Sequence, residues 1–203
     1  MTPGEVFQFK WKERRLRCAG HVINLVARQI LFGKNPDALQ LEVQEAKEKL
    51  KELELWRKKG PIGKLHNIVT YIRHSDQRNQ LFKRLQKTTY ICVESGTSQE
   101  TFELVTDNDT RWNSTHAIIK RAVMLRNPID TFIQQIRTEW EETLRKSRDA
   151  QKKIENKPTI LDDALTAEDW GVLSEYLEIL TPLKEATARL EGRAIQGNCF
   201  NSY

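Results

Sequence analysis

Asp109-Thr110-Arg111-Trp112-Asn113-Ser114-Thr115 sets the reading of this chain. Asp107 and Asp109 suit the N-cap of a helix, since a carboxylate there accepts from the first free backbone N–H groups. Beyond them Trp112, His116, Ile119 and Val123 recur about one turn apart, the period of an amphipathic helix. A helix starting here, midway along the chain, makes its neighbours legible, and on both sides the pattern stays helical.

Upstream, Cys18 to Phe32 suit a largely buried helix whose stripe is Val22, Leu25, Val26 and Ile30, widened by Ile23 and Ala27. Gly33 stands where such a helix stops. Asn35-Pro36 starts the next, with Leu39, Val43, Ala46, Leu50 and Leu53 forming a seam that packs on a neighbouring helix. Gly60-Pro61 ends it. Leu65, Ile68, Val69 and Ile72 form the face of a third helix, and Ser75 caps a short fourth carrying Leu81, Phe82 and Leu85. Residues 88–106 change character. Tyr90-Ile91-Cys92-Val93 and Phe102-Glu103-Leu104-Val105 favour extended structure, so at most one or two short strands are expected near residues 90–106.

Downstream, Asn127-Pro128 caps a helix with the face Ile129, Phe132, Ile133, Ile136 and Trp140. Residues 145–160 are mostly polar and read as a flexible connection. Thr166 and Asp169 have capping-box spacing. The last helix displays Trp170, Leu173, Leu177, Leu180 and Leu190, and Pro182 is expected to kink or divide it. The fold class is all-α, a mainly helical bundle of seven or so helices. The expected organisation is an N-terminal segment (1–16), a helical region (17–149), a charged linker (150–165), a C-terminal helix (166–193) and an irregular tail (194–203).

With 38% hydrophobic residues, 203 residues suffice for one core or two small helical subdomains. No apolar run approaches the ~20 residues a bilayer requires, so no membrane role is expected. Residues 1–10 lack the apolar centre of a secretion signal. Cys18, Cys92 and Cys199 are odd in number and far apart, which fits a reducing intracellular compartment. The net charge of +5 is uneven. Residues 1–90 hold 19 Lys and Arg against 9 Asp and Glu, a net +10, and residues 91–203 hold 14 against 19, a net −5. A basic first half supplies the attraction that phosphate backbones exert, although ordinary charge scatter explains it equally well.

Candidate chemistry is sparse. Cys18 and His21 have the spacing of half a zinc site, but a closed site needs about four ligands and no second pair is present. A buried thiol beside a hydrogen-bonded histidine is the better reading, and no metal is expected. The same pair lacks the orienting partner of a cysteine nucleophile. Asp107 with Asp109, and Asp162 with Asp163, are paired acids, yet two-metal phosphoryl transfer needs carboxylates that converge from separate elements. No phosphate loop or dinucleotide fingerprint is present. Trp112 has two readings. Its ring, with Arg111 before it and Asn113 after it, suits an unstacked base, for which stacking is worth ~1–3 kcal/mol. By residue type alone it reads first as a core aromatic of the stripe with His116 and Ile119.

The ordered set of motifs adds a resemblance. Arg17-Cys18-x-x-His21-x-x-Asn24-Leu25, then helices, then Asp107-x-x-Thr110-Arg111-Trp112-Asn113-Ser114, then the Trp170-x-x-Leu173 helix and Leu190-Glu191-Gly192, together resemble the transposase core of the hAT superfamily (hobo/Activator/Tam3-like). The version here is similar to copies common in filamentous fungi, and it covers roughly residues 13–193. The resemblance implies a ribonuclease-H-like catalytic domain interrupted by a helical insertion, with this chain being mostly the insertion. It implies that Cys18 and His21 help organise a DNA end, and that Trp112 stacks on a base flipped out during hairpin formation. Arg15, Arg17, Arg111 and Asn113 join them as expected DNA contacts.

Members of that family cut DNA with two aspartates and a glutamate on Mg2+ or Mn2+. No aspartate precedes Cys18 here, and neither Asp107 nor Asp109 matches those positions. The expectation is therefore a truncated, transposase-derived nuclear protein. It would have no catalytic residues and no cofactor, weak binding to transposon-end DNA, and possible association with longer transposase copies. The alternative is a helical protein-interaction module without nucleic-acid binding.

Overall fold

The computed structural model describes residues 19–33, 49–91, 101–106, 112–146 and 157–190. Among them are seven α-helices: α1 (Ala19–Phe32), α2 (Lys49–Arg57), α3 (Pro61–Arg73), α4 (Asp76–Ile91), α5 (Trp112–Met124), α6 (Arg126–Lys146) and α7 (Ala167–Leu190), with a 3-10 helix at Thr159–Asp163 before the last. The described residues are all helical or irregular, as an all-α fragment requires. Residues 1–16, Leu39, Val43, Ala46, Cys92, Val93 and the tail 194–203 lie outside them.

α3 is the centre. It packs on α2, α4, α5, α7 and the 3-10 helix. Its expected face is the observed one: Leu65, Ile68 and Ile72 are fully enclosed and Val69 nearly so. Gly60, at φ 66°, makes the turn from α2, and Pro61 follows at the helix start, where its missing N–H costs nothing. α4 lays Phe82 against Phe132 of α6, ring edge to face with centroids 6.1 Å apart, and Tyr71 of α3 meets the same ring at 6.5 Å. α4 is sixteen residues long, not short, because Leu81, Leu85 and the buried Gln86 keep it on the core.

No strand forms at residues 101–106, and Tyr90 and Ile91 finish α4. The extended residues find side-chain partners in place of a sheet neighbour. The Gln86 amide donates to the Phe102 carbonyl at 2.9 Å and accepts from the Phe102 N–H at 2.8 Å. Arg73 donates to the Leu104 carbonyl, and Arg121 to that of Glu103 at 2.9 Å.

α1 corrects the sequence reading. Val22, Leu25 and Val26 are 46%, 38% and 44% exposed, and the packed line is Ile23, Ala27 and Leu31. The helix is apolar around most of its circumference, so periodicity does not select its inward face. Contact with α5 and α7 does, with the small Ala27 fully enclosed.

The expected linker is corrected in its second half. Ile160, Leu161 and Asp163 are buried in the 3-10 helix against α3 and α6. Arg57 donates to both Asp163 oxygens, at 2.8 and 2.9 Å, and Asn67 donates to Oδ1 at 3.1 Å. A run that reads as polar is held by two apolar side chains and one paired acid.

α7 begins with the expected capping box. The Asp169 N–H donates to the Thr166 hydroxyl at 3.1 Å, and the Thr166 N–H to the Asp169 carboxylate at 2.9 Å. Pro182 does not divide the helix. Pro182 and Glu178, four residues before it, are both exposed, so the carbonyl left without its amide partner is on the watered side.

Candidate functional site around the Trp112 helix

Trp112 opens α5 and is 3% exposed, in one enclosed cluster with Ile118, Ile119 and Ala122. The ring expected to offer a stacking face is a core side chain in this conformation. Its stripe faces inward between α5 and α7, the most extensive helix pairing among the described residues, and no side of the indole is left for a base. Asn113 follows, half-buried, with an enclosed Oδ1 that has no hydrogen-bond partner among the described residues.

One turn on, His116 is 2% exposed and bridges to α7. Its Nε2 is 3.3 Å from the Thr181 hydroxyl and its Nδ1 is 3.5 Å from Lys184 Nζ. Thr181 commits its own proton to the Leu177 carbonyl at 2.6 Å. The hydroxyl oxygen is then the acceptor, which puts the imidazole proton on Nε2 and leaves the Nδ1 lone pair for Lys184. Burial, with the ammoniums of Lys184 and Lys120 next, pushes His116 down to about 4, so the ring is neutral near pH 7.

Of the other expected site residues, His21 is exposed on α1, and α1 packs against α5 and α7. The fold thus brings the helix of the first motif onto the helix of the second. Arg15, Arg17, Cys18 and Arg111 lie outside the described residues.

The paired acids separate. Asp163 is taken by Arg57 and Asn67, while Asp162 is exposed and bonds Lys157. Asp169 joins Lys64 at 2.8 Å. Burial would raise the Asp169 carboxyl, but Lys64 and Thr166 outweigh it and hold it below the usual range. Asp130 accepts from the Trp170 indole at 3.1 Å, and burial holds this carboxyl above its ordinary value. Among the described residues no three His, Cys, Asp or Glu side chains are grouped to hold a metal ion. No described helix is long and apolar enough to cross a membrane.

Halving the chain hides how far its charge is segregated. Residues 57–91, from the end of α2 through α4, hold nine Lys and Arg and one acid, Asp76, a net +8. α6 is balanced and α7 is net −3. Several of the nine cations have structural partners: Arg57 with Asp163, Lys64 with Asp169, Lys83 with Glu103, and Arg78 over the Tyr71 ring at 3.7 Å. Counting charge helix by helix would have found this unit.

A family model described as ZBED1 RNase-like helical domain matches residues 16–160. No curated protein and no solved structure matches the sequence.

Proposed function

The chain belongs to the ZBED1 RNase-like helical domain family, which is hAT-related and transposase-derived, and from that premise we propose that it is a non-catalytic helical domain that binds DNA in the nucleus. The observation that carries this reading is the net +8 of residues 57–91, spread over the end of α2, the turn after it, α3 and α4, with only three of its nine cations paired to acids of other segments among the described residues. A phosphate backbone is the partner that such a field attracts without regard to sequence. Binding is then electrostatic and does not use the Trp112 ring, which the core encloses. The motif order is similar to that of fungal hAT copies, and this similarity makes transposon ends the DNA we propose it holds.

The absence of strand cleavage is part of the proposal. It is supported by the work that three of the described acids already do: Asp163 neutralises Arg57, the Asp169 carboxylate accepts the Thr166 N–H and pairs Lys64, and Asp130 receives the Trp170 indole. The test is fluorescence anisotropy of labelled hairpin and duplex DNA with the whole chain across a salt series. Binding that weakens steeply with salt is expected. Binding that is absent at low salt sinks the reading, and cleavage in Mg2+ or Mn2+ sinks its non-catalytic half.

The exposed Val22, Leu25 and Val26 of α1 favour a second reading, a module that docks on another protein. Size-exclusion chromatography with light scattering separates the two. If the protein on which it docks is a second copy of this chain, the chain self-associates without DNA, and Val22→Glu with Val26→Glu abolishes that.

A further inference from the structure

The outer face of α4 carries one line of side chains: Gln77, Gln80, Arg84, Lys87 and Thr88, all exposed. They recur at spacings of three, four, three and one, within a third of the helix circumference, and span about 16 Å along the axis. The face is fixed in place, since Phe82 and Gln86 on the opposite side are 1% exposed and hold α4 to the core and to residues 101–106. The neighbouring cations are occupied. Lys83 pairs with Glu103, and Arg78 covers Tyr71 and donates to its carbonyl at 3.1 Å. Arg84 and Lys87 have no acid partner among the described residues. Asp76, at the start of α4, is the one acid on the helix, about 12 Å along the axis from Arg84.

We propose that this line is a contact surface for the sugar-phosphate backbone of one nucleic-acid strand, with Arg84 and Lys87 each neutralising a phosphate and Gln77 and Gln80 donating to neighbouring backbone oxygens, while the Thr88 hydroxyl proton stays on the Arg84 carbonyl at 2.8 Å. The assignment rests on the DNA-binding reading above and gives it a location. The line contains cations and neutral donors, no acid and no apolar anchor. That favours a nucleic-acid strand over an acidic protein, because protein interfaces draw their energy from enclosed aromatic or aliphatic anchors and backbone contacts need only repeated charge and hydrogen bonds.

The experiment compares three whole chains, each confirmed folded by circular dichroism, binding a short labelled duplex between roughly 50 and 200 mM salt. They are wild type, Arg84→Glu/Lys87→Glu, and Arg137→Glu/Arg145→Glu on α6, which changes net charge equally at exposed positions elsewhere. The expected result is a loss on the order of tenfold or more for the α4 variant, with its salt slope shallower by about two, and a much smaller loss for the α6 variant. Equal losses in both variants overturn the location and assign binding to net charge. Full affinity in the α4 variant overturns it too. Displacement of the DNA by poly-glutamate at matched charge concentration overturns the choice of nucleic acid. Absence of wild-type binding instead removes the DNA reading on which the location rests.

Discussion

Arg57 meets Asp163 in a two-pronged bond, Nε to Oδ1 at 2.8 Å and Nη2 to Oδ2 at 2.9 Å, across 106 residues of sequence. The same guanidinium reaches the Thr159 carbonyl at 3.3 Å. One cation at the end of α2 therefore fastens the 3-10 helix that leads into α7. The hydrogen bonds that Arg57 donates to Asp163 hold its guanidinium protonated more firmly than usual, against the opposing effect of its partial burial.

Asp163→Ala leaves Arg57 and the Asn67 amide without their shared acceptor. The Arg57 side chain is 28% exposed, so water recovers part of the loss. The expected destabilisation is about 2–3 kcal/mol, below the range for breaking a fully buried pair. Urea unfolding reads it. An unchanged midpoint would mean that Ile160 and Leu161 alone hold the segment.

The Trp112 ring separates a structural role from a DNA-contacting one. Trp112→Ala removes a core aromatic and is expected to cost about 3–5 kcal/mol. Trp112→Phe keeps most of the volume and leaves the chain folded. Its affinity for hairpin DNA should match wild type within a factor of about two, because an enclosed ring meets no base, whereas a stacked indole would lose part of its ~1–3 kcal/mol contact on replacement by the smaller ring. A tenfold weaker complex from a folded Trp112→Phe chain would show that the ring turns outward to meet DNA.

How much of this was legible in sequence depended on whether one segment held the whole cause. The α7 capping box needs only Thr166 and Asp169, three residues apart, and both bonds form. The α3 face follows from one amphipathic stripe. The α1 face was not legible because nearly every side of that helix is apolar, and α5 and α7 choose among them. The 3-10 helix was missed because Asp163 reads as a solvated acid until Arg57, 106 residues away, is folded against it. At the site, residue types alone already read Trp112 as core. The resemblance promoted its ring to a binding surface, and packing returns it to the interior.

His116 makes stability depend on pH. Its folded value, about 4, lies below the ordinary value of 6.5, so between these limits the unfolded chain binds more protons than the folded one. Stability from this group is complete above about pH 6.5 and falls as the pH drops towards 4. The groups facing the ring are Lys120 on α5 and Lys184 and Thr181 on α7. Solvent around the exposed lysines screens the repulsion, so the expected loss is on the order of 1–2 kcal/mol. His116→Gln should lose that part of the slope between pH 6.5 and 4 and keep the rest. Parallel wild-type and variant curves of midpoint against pH would refute the assignment.

Gly63 gives the sharpest packing prediction. A Cβ built there falls 1.7 Å from the Trp56 carbonyl oxygen and 2.5 Å from its carbon, and both atoms are backbone. The end of α2 thus crosses α3 at a distance only glycine permits. The contact is reinforced on one side by the Trp56 ring stacked on His66, 3.8 Å between centroids at 13°. On another side the Asn67 amide donates to the Leu53 carbonyl at 3.0 Å. Gly63→Ala must push α2 away and loosen all of these together. The favourable helix propensity of alanine, about 1 kcal/mol over glycine, is far too small to offset that displacement. A net loss of about 3 kcal/mol or more is expected, at or above the upper end for overpacking. Thermal unfolding reads it directly, and a variant as stable as wild type would show that α2 does not lie this close to α3.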